Sequence, residues 1–105
     1  MRIVDGLRRF GLLEIELGTR EVRFDSAPVA LTRLEFDLVE ALTRQHDRVW
    51  SRPTLMEQVW GLDWLGDGHT IEVHVANLRR KIDRNGARHV QTVRGIGYRW
   101  AIPPS

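Results

Sequence analysis

Donors and acceptors suited to base edges and phosphates recur between His69 and Arg94. His69 and Thr70 stand where a helix would begin, so they can donate to a phosphate or a base edge, with the helix dipole favouring the phosphate. Val73 can touch a thymine methyl, Asn77 matches the N6/N7 edge of adenine, and Arg80 or Arg84 can take guanine or phosphate. Arg79 lies toward the flank, where a phosphate contact, a salt bridge inside the domain and base readout are all open. Thr92 can bond a phosphate or simply fill a strand position. Arg94, followed by Gly95 and Gly97, presents a guanidinium at a tight turn, a shape that enters a narrow, A·T-rich minor groove; a solvated turn arginine is the plainer alternative.

Catalytic chemistry fits these residues less well. His69, Glu72 and His74 suggest a metal cluster, but positions 69 and 74 differ by about 140° around a helix and do not share a site with Glu72. Gly95-Ile96-Gly97 lacks the third glycine and the following helix of a dinucleotide loop. There is no nucleophile elbow and no paired carboxylate motif. The expectation is a non-enzyme without a cofactor or metal.

Elements must hold these groups in place. At about 100° per residue, Ile71, Val75, Leu78 and Ile82 form one narrow stripe, and Val73, Asn77, Arg80 and Arg84 cluster opposite it. One face packs and the other is free to bind. Downstream, HVQTV and GYRWAI alternate around Arg94 to Gly97, which predicts two strands joined by a short turn. Asp67 is the candidate N-cap of this helix.

The preceding chain supplies the support. Residues 1–10 have no clear period and read as a linker or lead-in to a first strand. Leu13 to Leu17, Val22 to Phe24 and Val29 to Leu31 predict a small antiparallel meander, with turns at Gly18-Thr19-Arg20 and Asp25 to Pro28. Thr32-Arg33-Leu34-Glu35 is a capping box opening a helix through Leu34, Leu38, Ala41 and Leu42, widened by Phe36 and Val39. That helix should fade near Gln45-His46-Asp47. Ser51 caps a second helix with Pro53 in its first turn, Leu55, Met56, Val59 and Trp60 on its buried side, and Gly61 at its end. The segment 61–68 has no period, and Trp64 in it either meets a partner or folds back on the core. Pro103-Pro104-Ser105 reads as a tail.

The 105 residues, 42% of them apolar, bound one domain with a modest core. There is no cysteine, so disulfides and thiolate metal sites are excluded. No apolar run is long enough for a signal peptide or a membrane span, so the cytoplasm is the expected location. Residues 1–68 carry 9 basic and 12 acidic groups, and residues 69–105 carry 7 and 2. The cationic end coincides with the helix and hairpin, the footprint of a polyanion-binding face. The rival reading is a protein-interaction module whose basic face docks an acidic partner, with Trp64 as anchor.

Several motifs in order carry a resemblance. Leu31-Thr32-Arg33-Leu34-Glu35-Phe36-Asp37-Leu38, then Val49-Trp50-Ser51-Arg52, Leu55, Val59-Trp60-Gly61, then Thr70 to Val75 with Leu78-Arg79-Arg80-Lys81-Ile82, and Gln91 to Arg99, together resemble the OmpR/PhoB-type winged-helix effector domain of bacterial two-component response regulators, over about residues 11–102. The resemblance implies an α+β winged helix-turn-helix: an N-terminal four-stranded antiparallel sheet, three helices and a C-terminal β-hairpin wing. It implies direct-repeat promoter DNA as ligand, bound as a tandem dimer. Thr70, Val73, His74, Asn77, Arg79 and Arg80 then face or flank the major groove, and Arg94 is the minor-groove arginine of the wing. It also implies that the loop 61–68, with Leu62, Asp63, Trp64 and Leu65, is offered to RNA polymerase. Family members often carry a basic residue at the positions of Ala76 and Asn77, so base preference here is expected to differ. They usually carry an upstream receiver domain as well, for which 105 residues leave no room, so an isolated effector domain is expected.

Overall fold

Leu13 and Ile15 are wholly buried while Glu14 and Glu16 between them are not, and this alternation makes a strand with one face against a core. A computed structural model describes residues 6–61, 69–84, 86 and 88–101, with only the backbone of His69 and Thr70. The chain opens with β1 (Leu7–Phe10), β2 (Leu13–Glu16), β3 (Glu21–Phe24) and β4 (Ala27–Val29), an antiparallel sheet in sequence order. On its outer face Arg23 bridges Glu14 and Glu16 at 3.1 and 3.2 Å, and Arg9 meets Glu14 at 2.7 Å.

Two details differ from the sequence expectation. Residues 7–10 are a full strand, whose four residues pair with β2 from Leu7↔Glu16 to Phe10↔Leu13. Arg8 ties that strand to the first helix, donating to the Glu40 carbonyl at 3.0 Å and the Thr43 hydroxyl at 2.7 Å. The expected strand at Val29 to Leu31 sits two residues earlier. Asp25 and Ser26 both have positive φ, which closes a two-residue type I′ turn and puts Ala27 and Pro28 already in the ladder. Pro28 is tolerated because β4 is an edge strand.

Helix α1 (Arg33–Arg44) starts as its capping box predicts. Thr32 Oγ1 accepts from Glu35 N–H at 3.1 Å, and the Glu35 carboxylate accepts from Thr32 N–H at 3.0 Å. Phe36, Leu38, Val39, Ala41 and Leu42 are buried; Leu34 is only half-buried. A strand that sequence reading did not anticipate, β5 (Val49–Ser51), leads into α2 (Arg52–Trp60). Ser51 caps α2 by accepting from Thr54 N–H, and the Gly61 N–H donates to Glu57 carbonyl as the helix ends.

Helix α3 (His69–Ile82) buries Ile71, Val75, Leu78 and Ile82, none more than 1% exposed. Each such side chain contributes about 1.5–3 kcal/mol by leaving water. β6 (Val90–Val93) and β7 (Gly97–Trp100) form the hairpin, and β7 lies between β6 and β5 in a second sheet. One core joins the inner face of the first sheet, the three helices and Trp50, Val90, Tyr98 and Trp100.

Glu35 links the two ends of this arrangement. Its side chain is 2% exposed, and Lys81 Nζ reaches it at 2.6 Å, so the cap of α1 is also ion-paired to the last turn of α3. Burial pushes the Glu35 carboxyl up, but the bonds from Lys81 and Thr32 outweigh it and hold the group below the ordinary value of 4.5.

Candidate nucleic-acid interface

With one stripe of α3 buried, the opposite face is left to solvent. Val73 is 46% exposed, an apolar side chain with no place in the core. Arg80 is exposed beside half-buried Asn77, whose Oδ1 accepts from the Arg80 guanidinium. Asn77 therefore has its amide donor available, and presenting both halves of its edge to adenine requires Arg80 to share or release the acceptor. Arg79, Arg80 and Lys81 crowd the last turn of the helix, where the dipole favours cations.

Other expected residues sit elsewhere. The helix stops at Ile82, so Arg84 is exposed beyond its end and does not extend the face of Val73, Asn77 and Arg80. Just past the helix the Asp83 carboxylate accepts the His89 N–H at 2.9 Å, which ties the end of α3 to the residue before β6. His74 is half-buried with its ring against Trp60 at 5.6 Å, so it turns toward α2. Its Nδ1 is buried with no hydrogen-bond partner among the described residues. His69 and Thr70 open α3, and their side chains lie outside the described residues. So do Leu62, Asp63, Trp64 and Leu65 of the loop, and the cap candidate Asp67.

The hairpin presents Arg94 as expected. Val93 carbonyl accepts from Ile96 N–H at 2.9 Å, and Gly95 takes φ +78°, the positive angle that a type II turn needs at its third residue. Arg94 and Ile96 stand out on either side, Ile96 54% exposed. Gly97 has a different role from the one its spacing suggested. A Cβ there would lie 1.9 Å from the Trp50 carbonyl oxygen, so its bareness lets β5 approach β7.

Arg79 bridges helix and hairpin. Its Nε donates to Val90 carbonyl at 3.1 Å and its Nη2 to Thr92 Oγ1 at 2.6 Å. Between the end of α3 and β6 lies an open cleft of about 820 Å³ lined by Arg79, Arg80, Asp83, Arg88, Gln91 and Thr92. Arg88 is not singled out by the sequence, because residues 83–88 have no period to place it; Gln91 falls in the expected strand, where its type alone does not mark it as lining a cleft. Helix face, cleft and turn together present basic and polar groups with two exposed apolar side chains, Val73 and Ile96, an arrangement suited to a polyanion with methyl-bearing edges. Among the described residues, no three His, Cys, Asp or Glu gather as metal ligands, and no helix is long and apolar enough to cross a membrane.

The family described as "Transcriptional regulatory protein, C terminal" matches residues 26–100. The chain is 40% identical over 97 residues to the sensory transduction protein RegX3 of Mycolicibacterium smegmatis, covering 90% of this chain and 42% of that protein. Among solved structures, the DNA-binding domain of CpxR from E. coli superposes with a TM-score of 0.79 at 32% identity, covering 92% of this chain and 98% of the other. The Klebsiella pneumoniae RstA DNA-binding domain in complex with its RstA box gives a TM-score of 0.82 at 27% identity over the same shares. The chain spans about half or less of the curated relatives it matches.

Proposed function

The chain belongs to this family of OmpR/PhoB-type winged-helix effector domains of two-component response regulators, and we propose that it controls transcription by seating α3 in the major groove and the β6–β7 turn in the minor groove of promoter DNA. The observation that carries the reading is the division of α3: Ile71, Val75, Leu78 and Ile82 are spent on the core, which leaves Val73, Asn77 and Arg80 facing out. Val73 meets a thymine methyl, Asn77 an adenine, and Arg80 a guanine or phosphate. His69, Thr70 and His74 flank the contact near the helix start, Arg84 reaches a phosphate beyond its end, and Arg94 enters the minor groove. Two copies bind head to tail on direct repeats, and the loop with Leu62, Asp63, Trp64 and Leu65 meets RNA polymerase. The cytoplasm, where such promoters lie, is the site of action.

Selection of bound sequences from a randomised duplex pool, followed by fluorescence anisotropy of the winner across salt concentrations, tests this reading. The expected result is a tandem repeat whose affinity falls steeply with salt, by about 0.9 in log–log slope per phosphate neutralised. A pool that yields no enriched sequence, with weak binding alone, overturns it in favour of a protein-docking module.

A further inference from the structure

We infer that Arg79 is a positioning residue, a strut that fixes the offset between recognition helix and wing and so sets which base step Arg94 reaches once α3 is seated. The inference rests on the DNA-binding reading above, but the strut itself is a property of the free protein.

β6 is an edge strand, so the outer backbone groups of its ladder face no further strand. Arg79 takes up one of them, the Val90 carbonyl, and in the same plane reaches the hydroxyl of Thr92 two residues on. Its guanidinium carbon also lies 5.8 Å from the centroid of the Tyr98 ring, and Tyr98 is the ladder partner of Thr92 on β7. One rigid fork therefore holds both strands of the hairpin to α3. Lysine does not replace it, because a single ammonium cannot span two acceptors in a fixed plane. Tyr98 meets a second cation at 5.7 Å, Arg52 from the start of α2, whose guanidinium pairs with Glu72 of α3 at 3.5 Å. The base of the wing is thus tied to both helices.

Beyond Val93 and Gly97 the hairpin leaves the core, and Arg94, Gly95 and Ile96 are exposed. Arg94 lies two residues past Thr92 and one past the end of β6, so a small rotation at the base is carried to the guanidinium at the tip. With two of its donors committed to the wing, Arg79 acts on DNA through where it puts Arg94.

Two measurements on Arg79→Ala, Arg79→Lys, Thr92→Val and the Arg79→Ala/Thr92→Val double variant test this. The first needs no DNA: amide relaxation and residual dipolar couplings of residues 94–96 report whether the tip moves as one body with α3. Wild type should do so, and each variant should free it. The second uses the selected operator with its A·T flank stepped by one base pair either way. Wild type should prefer one register by about tenfold, and each variant should reduce this to about twofold or less with the salt slope unchanged. The double variant should be no worse than either single one. If Arg79→Ala instead lowers the slope by about 0.9, keeps the register preference and adds to the loss from Thr92→Val, Arg79 is a phosphate contact and the strut is wrong. Tip dynamics unchanged in all variants overturn it as well. Should Arg79→Ala fail to fold, Thr92→Val decides alone, since it keeps a β-branched strand residue and removes only the acceptor. Absence of any selective DNA binding by wild type defeats the functional reading, and the relaxation data still judge the strut.

Discussion

Asn77 and Arg80 stand one turn apart and share a hydrogen bond in the free protein, so either side chain orders the other before DNA arrives. Replacing Asn77 with Ala should relax preference at a single base position, at a cost of about 1–3 kcal/mol against the best site. Selection with the variant checks this, and an unchanged consensus moves Asn77 off the reading face. Arg94 is exposed on a turn that Gly95 closes. Arg94→Ala should weaken binding chiefly to operators with A·T flanks, whose narrow minor groove concentrates negative potential. Equal losses on A·T and G·C flanks, measured by anisotropy, would assign it to nonspecific backbone attraction. The types of these two residues were legible from sequence, as was the exposure of Arg94; Asn77 is half-buried. The partner of Arg79 was not, since it lies on a strand 11 residues away for Val90 and 13 for Thr92.

At the scale of elements, the joint between α1 and α3 depends on one buried carboxylate. Lys81→Met should cost on the order of 2 kcal/mol, below the roughly 3–5 of a fully buried pair because Lys81 reaches water. The pH sign follows from the lowered pKa of Glu35. Its contribution is fully present above the unfolded value, taken as 4.5, and is lost as pH falls through the lower folded value. Denaturant midpoints measured from neutral to acid pH should therefore show wild type and Lys81→Met converging at the acid end. A constant gap would mean that packing of the lysine stem, not charge, is what the variant loses. The second joint is β5 against β7. Gly97→Ala drives a methyl into the Trp50 carbonyl and should destabilise by about 3 kcal/mol or more, because the contact is backbone and cannot turn aside. Thermal unfolding tests this; a near-wild-type midpoint would show that β5 can lift away at little cost.

Across the whole molecule, charge is segregated: the acidic excess lies in residues 1–68, and five net positive charges lie in residues 69–105. On the first sheet much of the charge is neutralised internally by the Arg9, Glu14, Arg23 and Glu16 lattice, so it projects little field. The helix–hairpin side keeps Arg80, Arg84, Arg88 and Arg94 exposed. Charge-neutralising substitutions on the sheet should leave the salt dependence of DNA binding unaltered, whereas Arg88→Gln should reduce its slope by about 0.9 if the cleft carries a phosphate. A slope that changes with the sheet and not with Arg88 would put the binding face on the wrong side.

Caps, turns and the packed stripe of α3 were legible from sequence because each depends on residues within a few positions of one another. Thr32 and Glu35 satisfy the same helix end, and Ile71, Val75, Leu78 and Ile82 recur at the helical period. The charge asymmetry is a sum over residues and needs no fold. Tertiary structure alone decided what depends on a distant partner. β1 and β5 are strands because β2 and β7 pair with them, although three or four residues carry too little period to announce it. Gly97 is bare because Trp50, far back in the chain, comes within reach of its Cα. His74 is half-buried at the flank of α3 because Trp60 of α2 offers its ring. Arg79, whose place on the flank of the helix leaves phosphate, base and protein contacts all open, faces the wing because the unpaired edge of β6 lies beside it.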